Sequence, residues 1–169
     1  MNYTPRIIVK AGDPILKISS KIVTNFGSKE LYNLVEELFY NLKYHNGVGI
    51  AAPQIGENQR VLVYGCEQNS RYPDFKPITN SVLINPEISF FSQEKLDFYE
   101  GCLSLPNIRG LVSRSKTITI KANDINGDII EKTVSDFEAR IIQHELDHLD
   151  GILFPMRMSD ISTLIYSDN

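Results

Sequence analysis

Residues 143–148 read QHELDH, which places two histidines four apart with a glutamate directly after the first. On a helix that spacing sets the imidazoles about 40° apart around the axis, near enough for both to ligate one metal ion. Glu145, about 100° round from His144, can then serve a water at that ion as a base. His144, Glu145 and His148 match the H-E-x-x-H pattern of metal-dependent hydrolases; the bland alternative is a solvated helix face with incidental histidines. The chain has only three histidines, so finding two of them in this pattern weighs against accident.

A catalytic metal takes three protein ligands and keeps a position open for water. His45 falls at the end of an upstream helix, where an imidazolium faces the negative end of the dipole, and reads better as a cap-region residue. Cys66 directly follows VLVYG and reads as packing beside a core strand. Cys102 lies in EGCLSLP, residues 100–106, where Gly101 lets the backbone approach another group and Pro106 stops the segment. Alone, that heptad reads as a buried structural thiol; beside the histidine helix, the thiolate becomes a candidate third ligand. A Cys-His-His set suits Fe²⁺, Zn²⁺, Co²⁺ or Ni²⁺ better than Mg²⁺ or Ca²⁺. A third segment, GVGIAAPQIG at 47–56, has the glycines of a backbone that adopts positive φ or lies against a ligand, with a helix-to-strand loop as its plain alternative.

These groups need elements to hold them. Leu31, Leu34, Val35, Leu38, Phe39 and Leu42 recur at helical spacing behind Ser28, which predicts a capped N-terminal helix ending near Gly47. Short β-rich runs follow at 61–65, 81–85, 116–122 and 128–134, the last two joined by NDING with Asn126-Gly127 as a hairpin signal. Ser135-x-x-Glu138 reads as a capping box opening a second helix to about Leu149, before Gly151 and Pro155. The histidine pair thus falls in the last two turns of that helix. The fold class expected is α+β, with antiparallel β-sheets packed around a central metal-binding helix and an N-terminal helix. EQNSRYPDFKPITN at 67–80 reads as an inserted surface loop, and residues 1–169 as a single domain.

Composition narrows the classes. The chain is 42% hydrophobic and 22% charged with a formal net charge of -4, so no basic stripe points to nucleic acid. The N-terminal apolar run is only Ile7 to Val9, which predicts neither a secretory signal nor a membrane span. Two cysteines are too few for a disulfide framework and fit a reducing compartment.

With GVGIAAPQ at 47–54, EGCLSLP at 100–106 and QHELDH at 143–148 in one chain and in this order, the sequence resembles the peptide deformylases over roughly residues 5 to 157. The resemblance implies a metallohydrolase that removes the N-formyl group from the initiator methionine of new polypeptides, releasing formate. It implies Cys102, His144 and His148 as ligands of one divalent ion, with Fe²⁺ native and Zn²⁺, Ni²⁺ or Co²⁺ able to substitute. It makes Glu145 the general base and acid, and sets the Gln54 side chain and the Leu103 backbone N–H at the formyl oxygen. The Gly49 and Ile50 region would pair with the substrate backbone as an added strand. Glu145 takes a proton from water, hydroxide attacks the formyl carbon, and Glu145 hands the proton to the departing amine.

Helix geometry puts Ile141 and Phe137 on the face of His144, as walls of a methionine pocket or as plain core. Of Arg109 and Arg114, one is expected to orient substrate or pair with Asp147, against the default of a solvated charge. The implied partners are formylated nascent N-termini, with a transient ribosome contact; the short tail, with its β-rich ISTLIY, offers no docking helix of the kind some members use. The implied compartment is a bacterial-type cytoplasm. Competing readings are an H-E-x-x-H metallopeptidase, which usually takes its third ligand downstream, where this chain has neither His nor Glu, and a non-catalytic metal- or peptide-binding domain.

Overall fold

The computed structural model describes residues 3–66 and 76–167. Helix α1, Lys29–Tyr44, begins at Ser28, whose Oγ accepts from the Leu31 N–H at 3.2 Å. Of its expected stripe, Leu31, Leu34, Val35, Leu38 and Leu42 are buried and Phe39 is partly buried against them. After a tight turn come β1, Gly49–Ala51, and β2, Val61–Cys66. Every residue of β2 is buried because both its faces are covered. Val61 and Val63 pack with α1, while Leu62 and Tyr64 face a second cluster. This is why VLVYG reads as a continuous apolar run and not as an alternation.

With β3, Ile78–Phe91, β6, Thr117–Asn123, and β7, Ile129–Ser135, these strands form an antiparallel sheet ordered β1-β2-β3-β6-β7. A second antiparallel sheet holds β4, Lys95–Cys102, β5, Leu105–Ser115, and the short β8, Ile165–Tyr166. Helix α2, Asp136–Leu149, packs Phe137, Ala139, Ile141, Ile142 and Leu149 into one cluster with Leu62, Tyr64, Ile118 and Ile120. The α+β architecture around a central helix is as expected.

Three local readings are corrected. The capping box does not form: Ser135 Oγ bonds Thr117 Oγ1 at 2.8 Å, and Glu138 accepts from Tyr64 Oη and Lys132 Nζ. Cross-strand partners outcompete the local cap. The hairpin signalled by Asn126-Gly127 forms as expected: β6 pairs antiparallel with β7, Gly127 takes positive φ at 94°, and the Asp124 carboxylate organises the turn by accepting from the Asn126 and Asp128 N–H groups. Pro106 does not stop a segment; it lies within β5 near the start of the strand, where a missing N–H is tolerated. The β4–β5 hairpin carries EGCLSLP on its end. Of the loop expected at 67–80, residues 67–75 lie outside the described residues, and Ile78–Asn80 already belong to β3.

Candidate active site

Cys102 is the last residue of β4, and the β4–β5 register shifts between Gly101 and Cys102. Such an irregularity breaks the alternation of the pleat and re-aims the side chain. It carries the thiol to α2, where Cys102 Sγ lies 3.1 Å from His148 Nε2. One donor atom from each of Cys102, His144 and His148 falls within 4.8 Å of the others. Burial works against ionising Cys102, but the charge on His148 and hydrogen bonds with both imidazoles hold its pKa well below that of an ordinary thiol. The sulfur is therefore poised as thiolate, the form that ligates metals.

Glu100, two residues before Cys102 and ahead of the register shift in β4, also meets α2. His144 Nδ1 lies 2.9 Å from Glu100 Oε2, and donation through that nitrogen leaves Nε2 free to ligate. Glu100 is in turn held by Arg114, whose Nε and Nη2 donate to its two oxygens at 2.6 and 2.9 Å. Arg114 Nη1 reaches Asp147 Oδ2 at 2.7 Å, and Arg157 Nη2 reaches Asp147 Oδ1 at 2.7 Å. Burial alone would raise the Glu100 carboxyl, yet the hydrogen bonds from Arg114 and His144 and their charges keep it well below the carboxylate range. Of the two arginines weighed from the sequence, Arg114 is the partner of Asp147, and it is buried, not solvated.

Removing that arginine takes a shared cation from two buried acids, leaving Glu100 to Arg140 and His144 and Asp147 to Arg157. Arg114→Met is expected to cost about 2–3 kcal/mol of stability. Denaturant unfolding checks this, and a loss under about 1 kcal/mol would show the network to be dispensable.

A cavity of about 290 Å³ opens onto Cys102, His144 and Glu145, and its lining includes Gly49, Gln54, Leu103, Arg109, Phe137 and Ile141. Ile50 is the exception among the residues singled out for substrate: it is fully buried in the cluster with α1 and is not part of the lining. His148 is buried behind the cavity and is not part of its lining. His45 caps α1, with Nε2 3.1 Å from the Arg6 carbonyl, and Cys66 is buried in β2; neither joins the Cys-His-His group.

Gln54 accepts from the Ala51 N–H through Oε1 at 2.9 Å, which turns its amide nitrogen towards Cys102 Sγ, 3.7 Å away. The same nitrogen donates to Ser104 Oγ at 3.3 Å. Gly49 leaves no room for a side chain: a Cβ there would stand 2.5 Å from Glu145 Oε1 and 2.8 Å from Ile141 Cγ2. Burial pushes the Glu145 carboxyl up to about 7. Among the described residues its Oε2 is buried with no hydrogen-bond partner, an arrangement that costs free energy unless water or substrate meets it. A soft thiolate, two imidazoles and a neighbouring orphaned carboxylate oxygen fit one catalytic transition-metal ion.

A family model described as polypeptide deformylase matches residues 5–163. The chain belongs to the polypeptide deformylase family. Its members are hydrolases that use one metal ion to remove the N-formyl group from N-terminal formylmethionine of new polypeptides, and that is the activity of this chain. Peptide deformylase 1 of Nitrosomonas europaea is 41% identical over 161 residues, 95% of this chain and 92% of the relative. A Met-Ala-Ser-bound class I type b peptide deformylase from Acinetobacter baumannii superposes with a TM-score of 0.89 at 39% identity, covering 92% of this chain and 99% of that one. The Thermotoga maritima peptide deformylase gives 0.84 at 34% identity, over 94% of this chain and 100% of the other. Among the described residues no helix of this deformylase-family chain is long and apolar enough to cross a membrane.

The thin wall at Gly49 yields a direct expectation for deformylation. Gly49→Ala must displace Glu145 or Ile141, and a misplacement of about 1 Å at a reacting group costs on the order of 10²-fold. Formate release measured on a formyl-Met peptide should fall accordingly; a loss within twofold would show that Glu145 does not depend on this contact.

Sequence reasoning missed Glu100, Arg140 and Ser104 as members of the site. The signal for Glu100 was its closeness in sequence to Cys102, since an outer carboxylate partner commonly orients a ligating histidine. Ser104 had no signal beyond its place next to Leu103.

Proposed function

We propose that Cys102, His144 and His148 hold the single ion, with Fe²⁺ as the native metal and Zn²⁺, Ni²⁺ or Co²⁺ as substitutes. When bound, it would supply Lewis acidity at the formyl group and activation of a water. The observation that carries this reading is the meeting of three ligating atoms within 4.8 Å beside a buried carboxylate that has an unpartnered oxygen.

In this reading Glu145 takes the proton from the attacking water and returns it to the leaving amine. A carboxyl raised to about 7 by burial suits both halves of that task at neutral pH. The Gln54 amide nitrogen, locked by its own Oε1 contact to Ala51, and the Leu103 backbone N–H donate to the developing formyl oxyanion. Donors of this kind are each worth about 3 kcal/mol in a transition state. Gly49 and Ile50 lie in β1, the terminal strand of the five-stranded sheet beside the cavity, and the substrate main chain pairs with that strand. Phe137 and Ile141 receive the methionine side chain, and Arg109, at the cavity wall, orients the chain that follows.

Residues 1–169 act as a single catalytic domain, working in a bacterial-type cytoplasm. A transient ribosome contact follows from the substrate, since formylated N-termini emerge there.

The test is anaerobic purification with metal analysis, followed by formate release from a formyl-Met peptide with unformylated and acetylated peptides as controls. Formate from the first alone supports the reading. Cleavage at internal bonds, or bound metal without formate, overturns it.

A further inference from the structure

Phe137 and Ile141 account for only part of the cavity wall, which also includes Phe98 of β4 and Arg140 of α2. The Phe98 ring meets that of Phe137 edge-on, with centroids 6.1 Å apart. Arg140 Cζ stands over Phe98, 5.4 Å from its centroid. An apolar side-chain pocket has no need of a buried cation, and burying a guanidinium is costly unless its N–H groups are met. Here they are met: Nη1 donates to Glu100 Oε1 at 2.6 Å and to the Val112 carbonyl at 3.1 Å, and Nη2 donates to the Leu96 carbonyl.

The two carbonyls bracket Phe98. Val112 is its cross-strand partner, and Leu96 lies two residues before it on β4. The arginine therefore grips both strands of the hairpin around one ring and lies against that ring. With the fork fixed at these points, its planar face has little rotamer freedom left and makes a rigid backing.

We infer that Arg140 is the positioning residue for selectivity at the first substrate residue: it pins the hairpin at Leu96 and Val112 and holds Phe98 as a flat wall for an unbranched side chain. This rests on the deformylase reading. A methionine thioether lies along an aromatic wall and gains from sulfur–ring contact, whereas a side chain branched at Cγ meets the same wall with a methyl group in the way.

Kinetics on formyl-Met-Ala-Ser and formyl-Leu-Ala-Ser, with metal content measured alongside, test this. In Arg140→Met, KM for the methionine peptide should rise about tenfold while kcat falls far less, and the preference for methionine over leucine should shrink by a similar factor. Phe98→Leu should do the same, and the double variant should lose little more than either single one, as expected when one residue acts through the other. Arg140→Lys keeps a charge without the fork or the planar face, and should not rescue; together with Phe98→Leu it carries the test if Arg140→Met does not fold. An unchanged methionine-to-leucine ratio, with kcat and kcat/KM lowered equally for both peptides, overturns the inference and leaves the deformylase reading standing. No formate from the unsubstituted enzyme overturns both.

Discussion

Glu145→Gln should abolish nearly all formate release while the protein keeps its metal. The glutamine is isosteric and sits in the same buried place against Gly49, so packing is conserved. What is lost is the ability to accept a proton from water and pass it to the amine. General acid–base catalysis of this kind contributes about 10²–10⁴-fold, and one group doing both transfers puts the expected loss at the upper part of that range. The check is kcat/KM for formyl-Met-Ala-Ser, together with metal per chain. Activity retained within tenfold, with metal still bound, would remove Glu145 from the role of base.

Cys102→Ala should fail in the opposite way, by losing the metal first. Removing the outer hydrogen-bond partner of a ligating histidine lowers metal affinity by about 10–100-fold, so deleting one of three ligating side chains should exceed that. The measurement is metal per chain after dialysis against a mild chelator, with formate release recorded on the same samples. A variant that keeps one equivalent of metal would show that the thiolate is not a ligand. The contrast between the two variants is itself informative, because Glu145→Gln keeps the ion and Cys102→Ala releases it only if the ligand and base roles are correctly divided.

Both helices were legible in the sequence: α1 through its leucine stripe, and α2 through its start at Ser135 and its stop at Gly151, although the capping hydrogen bonds that signalled the start do not form. Strands β2, β6 and β7 announced themselves by β-branched runs. The β4–β5 hairpin did not, since KLDFYEGC and LPNIRGLVSRS mix charges and glycines that make sense only once their partners are known. Glu100 and Arg114 look like solvated charges in one dimension; in three, each is the other's counter-ion in the interior. Burial of a charge is a tertiary property, and no local pattern reports it. The Ser135 cap failed for a related reason: Thr117, eighteen positions earlier, supplies a nearer partner than the helix's own amides. The Cys-His-His group that could hold a metal was readable because metal coordination constrains residue type so tightly, whereas Phe98 and Arg140, at the cavity wall, had only ordinary core and surface signatures.

Strand β1 ends its sheet and is three residues long, Gly49–Ala51, all of them buried. An exposed strand edge is ordinarily a liability, since it invites pairing with any other chain and so promotes aggregation. Here brevity and burial are the safeguard: three covered residues present too little edge to template a growing sheet.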